Sequence, residues 1–168
     1  MTREIDSYRF QSGITKRMAK TWIGMEQPRP IPWTPLRKPL AECTVALISS
    51  AGMALTTDRP FDQESERRNP WWGDPSYRIL PSSSVTGDAR LYHLHIDPAP
   101  AMEDMNCLFP IERLNELAAI GEIGQAAPRH YSIMGYILEP EQLLCETTPA
   151  IIRHLREDAV DVVLLAPA

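Results

Sequence analysis

Two stretches of this chain are apolar at nearly every position, and they set the first expectation. Thr44-Val45-Ala46-Leu47-Ile48-Ser49-Ser50 ends at Ala51-Gly52, and Val160-Asp161-Val162-Val163-Leu164-Leu165-Ala166-Pro167-Ala168 closes the sequence. Such runs predict strands buried on both faces, as in a parallel sheet. Arg90–Ile96 alternates instead: Tyr92, Leu94 and Ile96 share one side and Leu91, His93 and His95 the other, which is the period of a strand. Tyr77–Leu80 and His130–Ile137 supply two more strands. A helix is predicted from Phe109-Pro110-Ile111 to about Ile120, with proline in its first turn and Gly121 at its end. A second spans about Glu141–Asp158 with Leu144, Ile151, Ile152 and Leu155 as its stripe. Pro149 should kink or restart it, with Thr148 as a local N-cap. Met53–Ser76 reads as loop and Ser82-Ser83-Ser84 as a turn. Strands alternating with helices predict an α/β fold: a mainly parallel twisted sheet, Rossmann-like, with flanking helices and right-handed crossovers. Because the sequence stops on an apolar strand, this sheet is expected to be incomplete at its C-terminal end.

Composition narrows the class. The 168 residues are 43% hydrophobic and 23% charged with a net charge of −5, which describes a globular protein without the basic footprint of a nucleic-acid binder. No apolar run approaches the roughly 20 residues that span a bilayer, and Met1-Thr2-Arg3-Glu4-Ile5-Asp6 is no signal peptide. Neither nucleic acid nor membrane is expected as a partner. Cys43, Cys107 and Cys145 are odd in number and widely spaced, which suggests reduced thiols in a cytoplasmic protein. Five of the sixteen prolines fall in residues 28–39 around Trp33. That segment should run extended, as a strap with Trp33 in a groove or as a ligand for a proline-reading module. The expected division is therefore a polar arm and Pro-rich segment over 1–39 and an α/β domain over 40–168.

Chemistry has three candidate locations. His93-x-His95-x-Asp97 would put two imidazoles and a carboxylate on one strand face. Two His and a carboxylate suit open iron or zinc sites, although ligands about 7 Å apart along a strand must tilt to converge. A metal site, a metal-free polar site and plain surface residues all remain open. Asp104-x-Asn106 precedes the Phe109 helix and can satisfy its orphan N–H groups or meet an amine-bearing substrate. Gly73-Asp74-Pro75-Ser76-Tyr77-Arg78 suits a substrate loop or a solvated Asp–Arg turn. His130 and His154 carry no expectation. There is no Walker loop, dinucleotide fingerprint or nucleophile elbow.

Several motifs in order carry a resemblance. They are Pro-x-Pro-Trp-Thr-Pro (30–35), Ser50-Ala51-Gly52, Asp58-Arg59-Pro60-Phe61 and Gly73-Asp74-Pro75-Ser76-Tyr77-Arg78-Ile79-Leu80-Pro81. His93 with His95-Ile96-Asp97, Asp104-x-Asn106-x-x-Phe109-Pro110-Ile111-Glu112-Arg113-Leu114, Leu117-x-x-x-Gly121-x-Ile123-Gly124, His130-Tyr131-Ser132-x-Met134-Gly135-Tyr136 and Val160–Leu165 follow. From about Pro28 to Ala168 the chain resembles the selenoprotein B family of glycine, sarcosine and betaine reductases, together with D-proline reductase. The resemblance implies reductive cleavage of a carbon–nitrogen bond in a small amine or amino-acid derivative. In that reaction a selenolate or thiolate attacks the α-carbon of a substrate held by a pyruvoyl-bearing partner subunit, and a thiol reductant system completes the couple. It also implies His93, His95 and Asp97 as acid–base groups, with Asp74, Tyr77, Arg78, Asp104 and Asn106 toward the substrate. The family's selenocysteine or cysteine would follow Ala168, so the chain as given lacks its nucleophile and is expected to be inactive alone. An in-frame stop codon meant for selenocysteine, a cut chain and a short partner protein are the three accounts. The competing classes are a metal-dependent hydrolase on His93, His95 and Asp97, and a non-catalytic subunit that binds a partner through the open sheet edge. Self-association into a homo-oligomer is a separate expectation.

Overall fold

The computed structural model describes residues 12–25, 30, 34–69, 72–135 and 137–168. The expected strap around Trp33, the first residues of the polar arm and Tyr136 lie outside the described residues. The chain forms two units, Met1–Pro35 and Leu36–Ala168. The first contains helix α1 (Gly13–Met25), entered from Ser12, whose Oγ accepts the Thr15 N–H at 3.3 Å. No described helix is long and apolar enough to cross a membrane.

The second unit is an α/β domain built on β1 (Thr44–Ser49), the expected buried strand. Both its edges are paired. On one side lies β7 (Val162–Ala166), parallel, from Val45↔Val162 to Ser49↔Ala166. On the other lie β5 (Gln125–Ala126) and β6 (Arg129–Ser132), also parallel, at Thr44↔Gln125 and Ile48↔Tyr131. These two are one strand interrupted at Ala127-Pro128. The break leaves the Leu47 N–H, in the middle of β1, without a carbonyl opposite. The His130 imidazole takes that place, with Nδ1 accepting the Leu47 N–H at 3.0 Å. His130 is fully buried, and burial alone lowers its pKa to about 4.

The α/β class holds, with a five-stranded sheet that is mixed: three of its pairings are parallel and one is antiparallel. β3 (Arg78–Pro81) pairs antiparallel with β6, Leu80 opposite His130 and Pro81 opposite Arg129. Pro81 cannot donate to a ladder, so an edge suits it. β2 (Met53–Leu55) and β4 (Ala89–Leu91) form a separate antiparallel pair. The alternating run therefore stops being a strand at Leu91, five residues before Ile96. Beyond Met53↔Leu91 only one further bond follows, Tyr92 N–H to Gly52 O at 2.9 Å. The chain before Gly52 already belongs to β1, so no described strand lies alongside residues 93–97 and they turn instead.

Helix α2 (Gln63–Arg68) lies in a stretch that reads as loop. No apolar stripe marks it; Asp62 caps it by accepting the Ser65 N–H at 2.9 Å, with Glu64 and Glu66 in its first turn and Arg67 and Arg68 in its last. α3 (Ala99–Glu103) is short, and α4 (Ile111–Ala119) matches the predicted helix. α4 packs Ile111 and Leu114 into a core with Val45, Leu47, Leu80 and Phe109. The predicted second helix is continuous rather than restarted. Leu143–Thr147 widens into a π turn and α5 (Thr148–Glu157) follows. The widening accommodates Pro149, whose ring would otherwise meet the carbonyl four residues back. Thr148 is thus no N-cap, and the preceding Thr147 hydroxyl donates instead to Pro75 O at 2.7 Å.

The start of β7 is clamped to β1 by Asp161. Its carboxylate accepts the Thr44 N–H at 2.8 Å and pairs with Lys38 Nζ at 2.7 Å, and its own N–H reaches Thr44 O. The Lys38 bond, then the Thr44 N–H, holds this carboxyl below the usual range. β7 is not the fully buried strand that its sequence suggests. Among the described strands only β1 pairs with it, and Val163, Leu164 and Leu165 are 36%, 45% and 68% exposed.

α4 and α5 both end in a Schellman motif. Gly121 (φ 77°) closes α4, with its N–H on Ala118 O and the Glu122 N–H on Leu117 O. Ala159 (φ 50°) closes α5 in the same way, on Arg156 O and Leu155 O. An alanine there carries the left-handed strain that glycine does not. Ala159→Gly should raise stability by about 0.5–1 kcal/mol in urea unfolding with an unchanged m-value. His130 makes stability depend on pH. The unfolded imidazole titrates near 6.5 and the folded one near 4. Between these values only the unfolded chain takes the proton, so stability is whole above pH 6.5 and falls by about 3 kcal/mol as pH drops to 4. In His130→Gln that component of the acid slope should vanish, and stability at pH 7 should fall by about 1–3 kcal/mol through the loosened Leu47 amide. An unaltered slope would show that His130 is not its source.

Candidate functional site

Parallel sheets bind ligands beyond the carboxyl ends of their strands. Here that end is formed by Ser49–Gly52 after β1 and Ala166–Ala168 after β7. The Ser50 N–H bonds Ala166 O at 3.2 Å, and the Ala168 N–H bonds Ser50 Oγ at 2.9 Å. Gly52 turns the chain there with φ 65°. A Cβ on Gly52 would collide with the Met134 sulfur and lie 3.7 Å from the His93 amide. Glycine is favoured here by the positive φ and by the Met134 sulfur, while the His93 amide lies at ordinary contact distance.

That turn brings His93 and His95 together. Their rings meet edge to face with centroids 5.8 Å apart, and His93 Nδ1 accepts the His95 N–H at 3.2 Å. With Nδ1 accepting, the neutral His93 ring carries its proton on Nε2. Burial, and then the neighbouring His95, holds this imidazole below its ordinary range. Asp97 does not join them; its Oδ1 accepts the Ala99 N–H at 3.0 Å and heads α3. The shared strand face that would have aligned the three residues is absent because the segment is a turn. Among the described residues no three His, Cys, Asp or Glu side chains are placed to hold a metal ion.

A carboxylate that sequence reading missed faces the pair. Glu66 of α2 is 3% exposed and its Oε1 lies 3.8 Å from His95 Nε2. Burial lifts its carboxyl above the ordinary range, against the opposing pull of His95 and Arg67. α2 is fixed to the turn by the Gln63 amide, which donates to Tyr92 O at 2.7 Å, and by Phe61 against Tyr92. Sequence offered one signal, the Asp62-x-x-Ser65 cap, which implies a helix here without saying which residue it buries.

The Asp74, Tyr77 and Arg78 loop lines a cleft of about 650 Å³ with Asp58, Asp62, Trp72 and Gln142. Asp74 is buried: its Oδ2 accepts the Asp62 N–H and its Oδ1 the Ser76 N–H, each at 2.9 Å, and Oδ1 also accepts the Ser76 hydroxyl. The Arg78 guanidinium sits 4.2 Å over the Phe61 ring. It donates to Arg59 O (2.7 Å), Pro60 O (2.9 Å), Ser76 Oγ (2.9 Å) and Tyr77 O (2.8 Å). Four of its five N–H groups are therefore used, two of them stapling Arg59 and Pro60 to the cleft wall and two bracing its own loop. The Tyr77 hydroxyl meets His154 Nε2 at 3.3 Å, and the His154 ring stacks on Tyr131. His154 Nδ1 accepts from Arg129 at 2.8 Å, which leaves the Nε2 proton for Tyr77; Glu157, 3.1 Å from the same Nδ1, is held by Arg129. His130 and His154, of which nothing was expected, are thus both structural keystones.

Asp104 and Asn106 do not line this cleft. Asn106 Oδ1 accepts the Glu112 N–H at 3.0 Å and its amide bridges Asp104 and Glu112, both at 2.7 Å. They satisfy the start of α4. The Asn106 side-chain amide, then its N–H, holds the Asp104 carboxyl below its usual range. Of the thiols, Cys43 is buried with Sγ 3.3 Å from Pro39 O, while Cys107 and Cys145 are exposed.

Comparison with known proteins agrees with the order of these motifs. Residues 13–168 match the family model described as glycine/sarcosine/betaine reductase selenoprotein B. The D-proline reductase subunit gamma of Acetoanaerobium sticklandii is 36% identical over 138 residues, 82% of this chain and 53% of that protein. The glycine reductase complex component B subunit gamma of Carboxydothermus hydrogenoformans is 28% identical over 136 residues, 80% of this chain and 30% of that protein. The chain thus spans about half the length, or less, of these curated relatives. No solved structure matches it. A family match across nearly the whole length, with the histidine turn and the Asp74 loop inside it, means that the chain belongs to the glycine/sarcosine/betaine reductase selenoprotein B family.

Proposed function

We propose that this chain is the N-terminal part of a cytoplasmic, substrate-reducing subunit that cleaves a carbon–nitrogen bond in a small amine or amino-acid derivative. The observation that carries the reading is the His93–His95 pair, held beside Gly52 at the carboxyl end of β1. The nucleophile, a selenocysteine or cysteine, belongs to the segment that follows Ala168. A residue there would emerge next to Ser50 and Gly135, since a Gly135 Cβ would lie 3.2 Å from Ala168 O. Cys43, Cys107 and Cys145 do not match that position. An ordinary thiol is only a few per cent ionised at neutral pH, so the site must stabilise the anion or use selenium.

The chemistry assigns one task to each group. The nucleophile's lone pair forms the bond to the α-carbon, the C–N pair stays on nitrogen, and an imidazole protonates the departing amine. A thiol then attacks the nucleophile's selenium or sulfur, the carbon keeps the bonding pair and takes a proton, and the second thiol closes the disulfide and frees the nucleophile. Overall one C–N bond becomes C–H and N–H, with two electrons and two protons from the dithiol. The pyruvoyl group that activates the substrate belongs to a partner subunit, and no residue of this chain is assigned to it. The cleft walled by Asp74, Tyr77 and Arg78 receives substrate or partner, while Asp97 heads α3 and Asp104 and Asn106 satisfy the start of α4. Partner binding through β7 has support of its own in the exposed Val163, Leu164 and Leu165. The metal-hydrolase reading has none among the described residues.

The test compares residues 1–168 with a version extended through the next in-frame stop, with cysteine at that stop. Each is supplied with a pyruvoyl partner subunit and a dithiol, and amine release is measured. Only the extended protein should turn over, and His95→Gln within it should lower the rate by about 10²–10⁴-fold. Equal turnover by both versions would overturn the reading. Stoichiometric zinc or iron, with activity lost on chelation, would establish the hydrolase instead.

A further inference from the structure

A six-residue surface helix that buries one side chain ordinarily buries an apolar one. α2 buries an acid: Glu66 is its one buried residue. No described group hydrogen-bonds its Oε1. A leucine or methionine would fill the same space without desolvating a charge. The helix is also anchored at both sides, to the histidine turn by Gln63 on Tyr92 O with Phe61 packed against the Tyr92 ring, and to the Asp74 loop by Asp62. The charged groups acting on Glu66 are His95 and Arg67, which favour the anion, and Asp74, which opposes it.

We infer that Glu66 is the positioning residue of this site, holding the His95 ring with its Nε2 proton toward α2 so that Nδ1 faces the reacting nitrogen. The inference rests on the proposed acid–base role of His95. The 3.8 Å separation is longer than a hydrogen bond but within ion-pair reach, so protonating the ring strengthens the contact. The two imidazoles then differ in kind. His93, with Nδ1 occupied by the His95 N–H, stays a neutral Nε2–H donor, while His95 carries the proton that moves.

Glu66→Met separates this role from a structural one. In the 168-residue chain, ring ¹⁵N NMR should show wild-type neutral His95 with its proton on Nε2. In Glu66→Met the Nδ1–H form should grow at least fivefold while the melting temperature holds or rises. A His95 tautomer unchanged in Glu66→Met would overturn the inference. Should that variant not fold, the carboxyl ¹³C titration of Glu66 in His95→Asn serves instead. Its midpoint should move up, because the charge that lowers it is gone, and an unmoved midpoint would overturn the inference equally. In the extended protein Glu66→Met should lower kcat at least tenfold with KM within twofold; unchanged kcat would also overturn it. A tautomer shift in a protein that is inactive even as wild type would leave the Glu66–His95 pairing standing and remove the reductase reading.

Discussion

An amide in the middle of a buried central strand must be paired, and that of Leu47 is paired by an imidazole. β1 binds strands along both edges, so the whole sheet is referenced to it. Pro128 interrupts the strand beside it at the point where a carbonyl should stand. An unpaired amide there would cost about 1–3 kcal/mol. The His130 ring spans the gap and allows β5 and β6 to continue along one edge as a single line, with β3 added beyond them. That line sets where Tyr131, Ser132 and Met134 fall, and through Ser132 and Met134 it sets the turn at Gly52. The Ser132 hydroxyl accepts the Met53 N–H at 2.7 Å, and Met134 bridges Ala51. The arrangement of the histidine turn follows from that contact.

Much of this fold is legible in the residues. β1, β3, α4 and the Gly121 cap lie where apolar runs, proline and glycine put them, because those signals act locally; β6 begins where expected but ends at Ser132, five residues before Ile137. What escapes depends on partners far along the chain. Tyr92–Ile96 alternates as a strand should, yet pairing fails because the edge it would need is occupied by β1. β7 reads as buried because its side chains are apolar, but burial also needs a neighbour. The reverse error occurs at α2, where no apolar stripe exists and the helix is held by a cap and by tertiary bonds.

The site divides in the same way. The closeness of His93 and His95 follows from two positions of separation and was readable, whatever the backbone between them does. The detachment of Asp97 was not, since it depends on a turn replacing a strand. Glu66 was invisible, because it lies 29 positions from His95 and only the packing of α2 joins them. Arg78 and Asp74 were recognised as a charged loop, but their bonds hold loop 58–61 and the α2 cap in place.

The Asp161 clamp has a consequence for the order in which the domain forms. It joins residues 117 positions apart, and closing so long a loop is among the slow steps of folding. During synthesis from the N-terminus, β1 leaves the ribosome long before β7 exists. One edge of the central strand therefore stays open until nearly the last of these residues has emerged. For that interval the nascent chain presents the backbone of Val45–Ser49 to any other strand it meets. A chain interrupted anywhere before Asp161 would keep that edge open permanently.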